Sequence, residues 1–200
     1  MMVVIFGATV RSEPSKKERT HERILDSAAR AIRRAGYDGA SVAEIMKEAG
    51  LTHGGFYAHF PSRDALLVEA AEHAAARGLA KLTSADEGGG AGLAALAERY
   101  LSDQHVAASE DGCLLAALGS ETGRQSPELR AIATRHVRRF AQLLNRLLPK
   151  KRGRTEAEAD EEALAALSTL VGALILARAV DRPELSRAIR AAAQRAVSRR

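Results

Sequence analysis

Thiols and indoles are what this sequence has least of: one cysteine in 200 residues, and no tryptophan. A single thiol, Cys113, excludes an intramolecular disulfide framework and a zinc site built on several thiolates. A reducing cytoplasm is the compartment that fits. β-branched residues are sparse and alanine is abundant, so strands are poorly supported and an all-α chain is expected. Long apolar runs are also scarce. The opening "MMVVIFGATV" is about half the length of a bilayer span and lacks the basic flank and apolar core of a secretory signal. It reads as a misassigned start, with Val10 as an alternative initiation codon, or as a buried arm or strand. No other stretch is expected to span a membrane.

Catalytic signatures are missing too. There is no H-E-x-x-H, no G-x-S-x-G and no dinucleotide fingerprint; "GSETG" lacks the glycine that a nucleophile elbow places before its serine. The run "SADEGGGAG" (84–92) has no following lysine at phosphate-loop spacing, so it reads as a flexible hinge. These absences predict a non-enzyme with no cofactor and no metal. The net charge of +5 comes from 30 basic and 25 acidic residues interspersed along the chain. Such a balance is compatible with a polyanionic partner without requiring one.

What is present is a succession of helix starts. Ser15 with Glu18, Ser41 with Glu44, and Thr155 with Glu158 have capping-box spacing. Ser62 is a further cap, and Ser126 with Pro127 opens another helix. About nine helices follow: 15–36, 41–49, 52–60, one from Ser62, 93–107, one around "CLLAALGSE", 126–148, 155–180 and 183–200. "PKKRGR" (149–154) reads as a solvated basic loop.

Residues 41–60, "SVAEIMKEAGLTHGGFYAHF", raise a question. Two short helices joined by "GLT" have the form of a helix-turn-helix, in which the second helix enters the DNA major groove. Yet that helix carries Gly54 and Gly55, each costing about 1 kcal/mol against alanine. Phe56 and Phe60 share a face and would anchor it to a three-helix core. His53, Gly54, Tyr57 and Ala58 would face outward. Small residues at a helix start let backbone amides approach a phosphate without a clash. Tyr57 and His59 add donors for flanking phosphates, and His53 is the first candidate for reading a base edge. Blander readings stand beside these: Tyr57 half-buried, His59 bonded to a neighbouring carbonyl, His53 in solvent. Lys16, Lys17 and Arg19 read either as an arm along phosphates or as a solvated helix start.

The stretch "GLTHGGFYAHFPSRDALL" resembles the signature of the tetracycline-repressor (TetR) family of bacterial transcription regulators, and "RILDSAARAIRRAGYDGASVAEIMKEAG" resembles that family's first two helices. The resemblance covers roughly residues 18–70. It implies an N-terminal helix-turn-helix domain (15–61, after an extension over 1–14) and a C-terminal domain (62–200) that binds a small effector and forms a homodimer through its last two helices. By the family pattern Ser41, Thr52, Ser62 and Arg63 lie beside phosphates. Double-stranded operator DNA, a lipophilic small molecule and a second copy of the chain are the implied partners, with no membrane among them.

The C-terminal part offers Cys113, Tyr100 and Phe140 as effector or sensor residues. Tyr100 and Phe140 are the sole aromatics beyond residue 60, so a pocket there would be mainly aliphatic. His105, His136, Arg135 and Gln142 are polar candidates whose simpler reading is solvated helix surface. Cys113 reads as an inert small hydrophobe, or as a thiol sensing oxidants or electrophiles. Leu164, Leu167, Leu170, Val171, Leu174 and Ile175, with Ala188, Ile189, Ala192 and Ala196, form stripes that suit either a dimer interface or an internal core. A helical adaptor that has lost DNA binding is the remaining alternative function.

Overall fold

The computed structural model describes residues 13, 15–84, 92–149 and 152–198. The N-terminal extension (Glu13 apart), residues 85–91 of the hinge and Lys150 and Lys151 of the basic loop lie outside them. The described residues are helical, without strands. Helix α1 (Lys16–Gly39) starts with the expected capping box: the Glu18 amide donates to Ser15 Oγ at 3.2 Å, and the Ser15 amide donates to Glu18 Oε2 at 2.6 Å. Its regular run breaks at Gly36, whose φ of 79° and ψ of 172° belong to a region that only glycine enters easily. The chain then makes one more turn to Gly39.

Helix α2 (Val42–Glu48) follows, and Gly50 closes it with φ 67°. Ser41 and Thr52 take the extended backbone of N-cap residues, but neither side chain makes a capping bond. The expected Ser41–Glu44 box is therefore not formed. The next element, His53–Ala58, is a 3-10 helix of six residues rather than the expected α-helix over 52–60. Two glycines weaken it at one end. At the other, Pro61 disfavours helical backbone at Phe60.

Helix α3 (Arg63–Ser84) leads away from this region, with Ser62 Oγ accepting the Ala65 amide at 3.1 Å. The single helix expected over 93–107 is two: α4 (Leu93–Tyr100) and α5 (Asp103–Ala107). Ser102 intervenes in extended conformation and caps the second, accepting the His105 amide at 3.2 Å. A 3-10 turn, Ser109–Asp111, then reaches α6 (Leu114–Thr122), α7 (Pro127–Leu147), α8 (Glu156–Ala179) and α9 (Pro183–Ser198). Ser126 caps α7, and Thr155 with Glu158 forms the box that opens α8.

Two apolar cores result. The first gathers Ile24, Ile32, Ile45, Met46, Phe56, Phe60 and Leu66 from the N-terminal helices, with Leu114, Leu118, Leu129 and Ile132 reaching in from α6 and α7. The second joins Leu96, Tyr100, Phe140, Leu144, Leu167, Leu170 and Leu174 with Ala193 and Val197 of α9. Each large apolar side chain buried in them contributes about 1.5–3 kcal/mol. Contrary to expectation, α8 is long and apolar enough to cross a membrane by length and composition. Here it is a core helix, with Ala163, Ala166, Leu167, Leu170 and Leu174 packed inward.

Of the three described glycines with positive φ, Gly36, Gly50 and Gly153, the first two differ in surroundings. A Cβ on Gly36 would lie 2.7 Å from the Glu121 carboxylate, whereas one on Gly50 would meet nothing within 4 Å. Gly50→Ala should cost about 1 kcal/mol from backbone strain alone. Gly36→Ala should cost about 3 kcal/mol, adding the displacement of Glu121. Urea melts of both variants test this, and equal losses would mean that Glu121 yields freely.

Candidate nucleic-acid interface and effector cavity

Helix starts crowd the surface of the N-terminal helices: α2, the 3-10 helix and α3 all begin between residues 42 and 63. Phe56 and Phe60 are 2% and 0% exposed, with ring centroids 5.8 Å apart, and His21 of α1 stacks on Phe60 at 4.5 Å. That aromatic anchor turns the other face outward. Tyr57 is 73% exposed, and Thr52, His53, Gly54 and Ala58 are exposed beside it. Lys16, Lys17 and Arg19 stand in the first turn of α1.

Neither Gly54 nor Gly55 has a positive φ among the described residues. A Cβ on Gly54 would meet nothing within 4 Å, and one on Gly55 would find only ordinary contacts with Met46 and Thr52 at 3.8 and 3.9 Å. The fold therefore accepts a side chain at both positions. The hydroxyls of Ser41 and Thr52 are likewise left without a capping role. Ser62 and Arg63 are more committed. Ser62 Oγ serves α3, and the Arg63 guanidinium donates to the carbonyls of Tyr37, Asp38 and Ala40 at 2.5, 3.3 and 3.2 Å, closing the α1–α2 connection. His59 is half-buried with its Nδ1 lacking a partner, and burial, with His21 and Lys17 nearby, lowers its pKa.

The second site is a cavity of about 340 Å³ walled by α3, α4, α5 and α7 and by the segment from Ala108 to Cys113 that leads into α6. Tyr100, Cys113 and Phe140, read from sequence as effector candidates, all line it, as do Leu79, Leu82, His105 and His136. Arg135 instead pairs with Glu72 at 2.6 Å, and Gln142 is exposed outside the cavity lining. His105 and His136 are not the solvated helix residues that periodicity suggested. The amide of Cys113 donates to His105 Nε2 at 3.1 Å, so Nδ1 carries the proton and donates to the Tyr100 carbonyl at 2.6 Å. This neutral imidazole ties α4 to the start of α6. His136 is 3% exposed, and burial pushes its pKa down from 6.5 to about 4. Cys113 is 6% exposed and unpaired. No group of three or more potential metal-ligating side chains comes together among the described residues.

Contacts invisible to sequence reading connect the two sites. The cavity wall includes Ala108, Asp111, Gly112 and Cys113. Within that segment the Glu110 carbonyl accepts Arg33 Nε at 2.5 Å, and its carboxylate accepts Arg34 at 2.9 Å. Arg34 reaches on to Glu48 of α2 at 2.5 Å. At the far end of α6, Glu121 accepts the Tyr37 amide at 3.2 Å and Thr122 meets the Tyr37 hydroxyl at 3.3 Å. These pairs span 14 to 85 residues of sequence, and no local pattern announces them.

The apolar stripes of α8 and α9 divide between two faces. Leu167, Leu170 and Leu174 are buried, while Leu164 and Ile175 are 48% and 42% exposed. Leu176 and Leu185 are also exposed, together with Ala188, Ala192 and Ala196 of α9. Internal packing and an outward apolar face thus coexist on the same pair of helices.

Residues 24–70 match the family described as "Bacterial regulatory proteins, tetR family", and residues 90–195 match "Transcriptional regulator LmrA/YxaF-like, C-terminal domain". An uncharacterised helix-turn-helix-type transcriptional regulator of Mycobacterium tuberculosis is 32% identical over 164 residues, 78% of this chain and 83% of its own. A TetR-family regulator from Cytophaga hutchinsonii has a similar fold, with a TM-score of 0.78 at 20% identity over 94% of this chain and 97% of that one. NemR of Escherichia coli in its reduced form is similar in fold, with a TM-score of 0.70 at 22% identity over 88% and 95% of the two chains.

The buried imidazole of His136 makes stability depend on pH in a defined direction. Below pH 6.5 the unfolded chain takes up a proton that the folded chain refuses until about pH 4. Stability therefore falls as pH drops through that window and levels off beneath it. From about pH 7 to about pH 5 the loss from this group should be about 2 kcal/mol, and His136→Leu should remove most of it in urea melts at the two pH values. An unchanged pH slope in the variant would show that His136 takes up its proton as readily in the fold as in the unfolded chain.

Proposed function

The chain belongs to the TetR family of bacterial transcription regulators, and from that premise we propose a cytoplasmic homodimeric repressor released from its operator by a small molecule. The observation that carries the DNA-facing half is the pair Gly54 and Gly55. The fold has room and backbone tolerance for a side chain at both, yet the sequence keeps glycine there at a cost in helix stability. Close approach of the backbone to a phosphate or base edge explains that cost. The uncommitted hydroxyls of Ser41 and Thr52, the exposed Tyr57 and His53, and the amide ends of short helices supply donors around it. His59 and Ser62 are flanking contacts, and Arg63 acts by shaping the loop before α2.

Two such faces read a palindromic site when the exposed side of α8 and α9 pairs with a second copy. Leu164, Ile175 and Leu185 supply apolar area, and Ala188, Ala192 and Ala196 allow close helix approach. The function is binding rather than catalysis. Cys113, walled into the cavity, meets a reagent only through that cavity, so a reversible ligand is favoured over a thiol-reactive sensor mechanism.

Fluorescence anisotropy against the intergenic duplex upstream of its own gene, with a scrambled duplex as control and at two salt concentrations, tests the reading. Tight, specific binding supports it, and equal weak binding to both duplexes counts against it. Ser41→Ala and Thr52→Ala should leave stability within about 0.5 kcal/mol, unlike a working cap, and still weaken binding severalfold. Gly54→Ala should keep or raise stability while reducing affinity at least about tenfold. Tyr57→Phe should weaken binding to all duplexes alike, whereas His53→Ala should mainly relax sequence preference. Gly54→Ala with undiminished affinity would remove the main support for the interface.

The effector response runs through Glu110, which belongs to the cavity-wall segment and holds Arg33 and Arg34 of the DNA-binding unit. With a releasing compound in hand, Glu110→Ala should still bind operator but need up to about fivefold more compound for release. A wild-type dose response in Glu110→Ala would place the coupling elsewhere.

A further inference from the structure

The cavity's wall holds two polar side chains with nothing of adequate strength to bond. Tyr100 has no exposed surface and its hydroxyl makes no hydrogen bond among the described residues, with only the thiol of Cys113, a weak partner, beside it. His136 is 3% exposed and packs its ring near Phe140, yet neither of its nitrogens bonds a described residue. Buried polar atoms are ordinarily satisfied, so the unsatisfied Tyr100 hydroxyl, with the unbonded His136 ring lining the same cavity, points to something that enters it. Ionised groups in the lining are already engaged with other lining residues. Lys81 is more than half exposed and pairs with Asp111 at 4.0 Å, and Arg99 donates to the Leu82 carbonyl at 2.9 Å. A charged ligand would shed its hydration for neutral partners.

Resting on the effector reading of this cavity, we propose that it selects a compact, uncharged lipophile bearing one hydroxyl or carbonyl group. Tyr100 and His136 are its polar anchors, and Leu79, Leu82 and Phe140 form its apolar bed. The hydroxyl and the neutral imidazole each donate and accept, so the pair serves an alcohol or a ketone equally. A bare hydrocarbon leaves both anchors unsatisfied, and a carboxylate finds no cation free of other bonds.

Because the chain lacks tryptophan, naphthyl fluorescence excited to the red of its three tyrosines reports binding to the full-length protein. Naphthalene, β-naphthol and β-naphthoate are titrated directly, with methylcyclohexane, cyclohexanol and cyclohexanecarboxylate as competitors that test the same groups on an aliphatic ring. The alcohols should bind about tenfold tighter than the hydrocarbons and the acids. Tyr100→Phe should abolish that preference and leave naphthalene affinity unchanged, a pattern that general loss of folding cannot produce. His136→Leu, checked by its melting curve, should diminish it independently. Equal affinity across the three groups, or a preference that survives both substitutions, would overturn the anchors while leaving the cavity a ligand site. Tightest binding by the acids would overturn the uncharged class. If no probe binds, the effector reading itself fails.

Discussion

A six-residue 3-10 helix with two glycines cannot hold its own shape, and the surface proposed to face DNA depends on what holds it. Isolated helices of that length are far below the size at which propagation offsets nucleation. The constraint is met by burying Phe56 and Phe60 against α1, α2 and α3, with His21 stacked across Phe60. At about 1.5–3 kcal/mol for each large apolar side chain, that pair outweighs the roughly 2 kcal/mol the glycines forfeit. The anchor thus stabilises an exposed surface whose own residues contribute little helix strength. Arg63 completes the arrangement by tying the carbonyls before α2 to the start of α3.

Much of this was legible in the sequence because its determinants are local. Gly50 suits the left-handed residue that closes a helix and adopts that backbone, and the regular run of α1 breaks at Gly36, where its helical pattern ends. Ser15–Glu18 and Thr155–Glu158 form their boxes. Phe56 and Phe60, four apart before a proline, are buried as their spacing requires. The same local logic overreached at Ser41–Glu44, where the spacing is right but the hydroxyl stays unbonded to the helix. It also ran past Ser102, whose capping potential is hidden inside an otherwise continuous helical pattern.

The cavity was half legible, for a different reason. Tyr100 and Phe140 stand out as rare aromatics, and Cys113 as the sole thiol, so composition alone directs attention to them. His105 and His136 look like surface residues because periodicity reports the face of a helix, not what packs on it. Leu79 and Leu82 come from the end of α3, and nothing in their neighbourhood links them to α7. The same limit hides Glu110, an acidic residue in a polar turn whose importance lies in two arginines more than 70 positions earlier.

Those long-range contacts bear on how large a response the protein can make. An exposed pair such as Arg34–Glu110 contributes up to about 1 kcal/mol, and a net hydrogen bond such as Glu121 to Tyr37 about the same. Neither alone would switch a tightly bound regulator. Both lie on one segment, however: Glu110 sits just before α6 and Glu121 near its end, with Cys113 of the cavity wall between them. A ligand that shifts α6 acts on both contacts together. The sum, about 1–2 kcal/mol, falls within the range of an ordinary allosteric coupling. A ligand can draw on that coupling only through a difference in affinity between the two arrangements. Tyr100 and His105 supply the means, because their hydrogen bonds join α4 to the Cys113 amide where α6 begins. Whatever fills the space beside Tyr100 therefore presses on the joint from which both contacts hang.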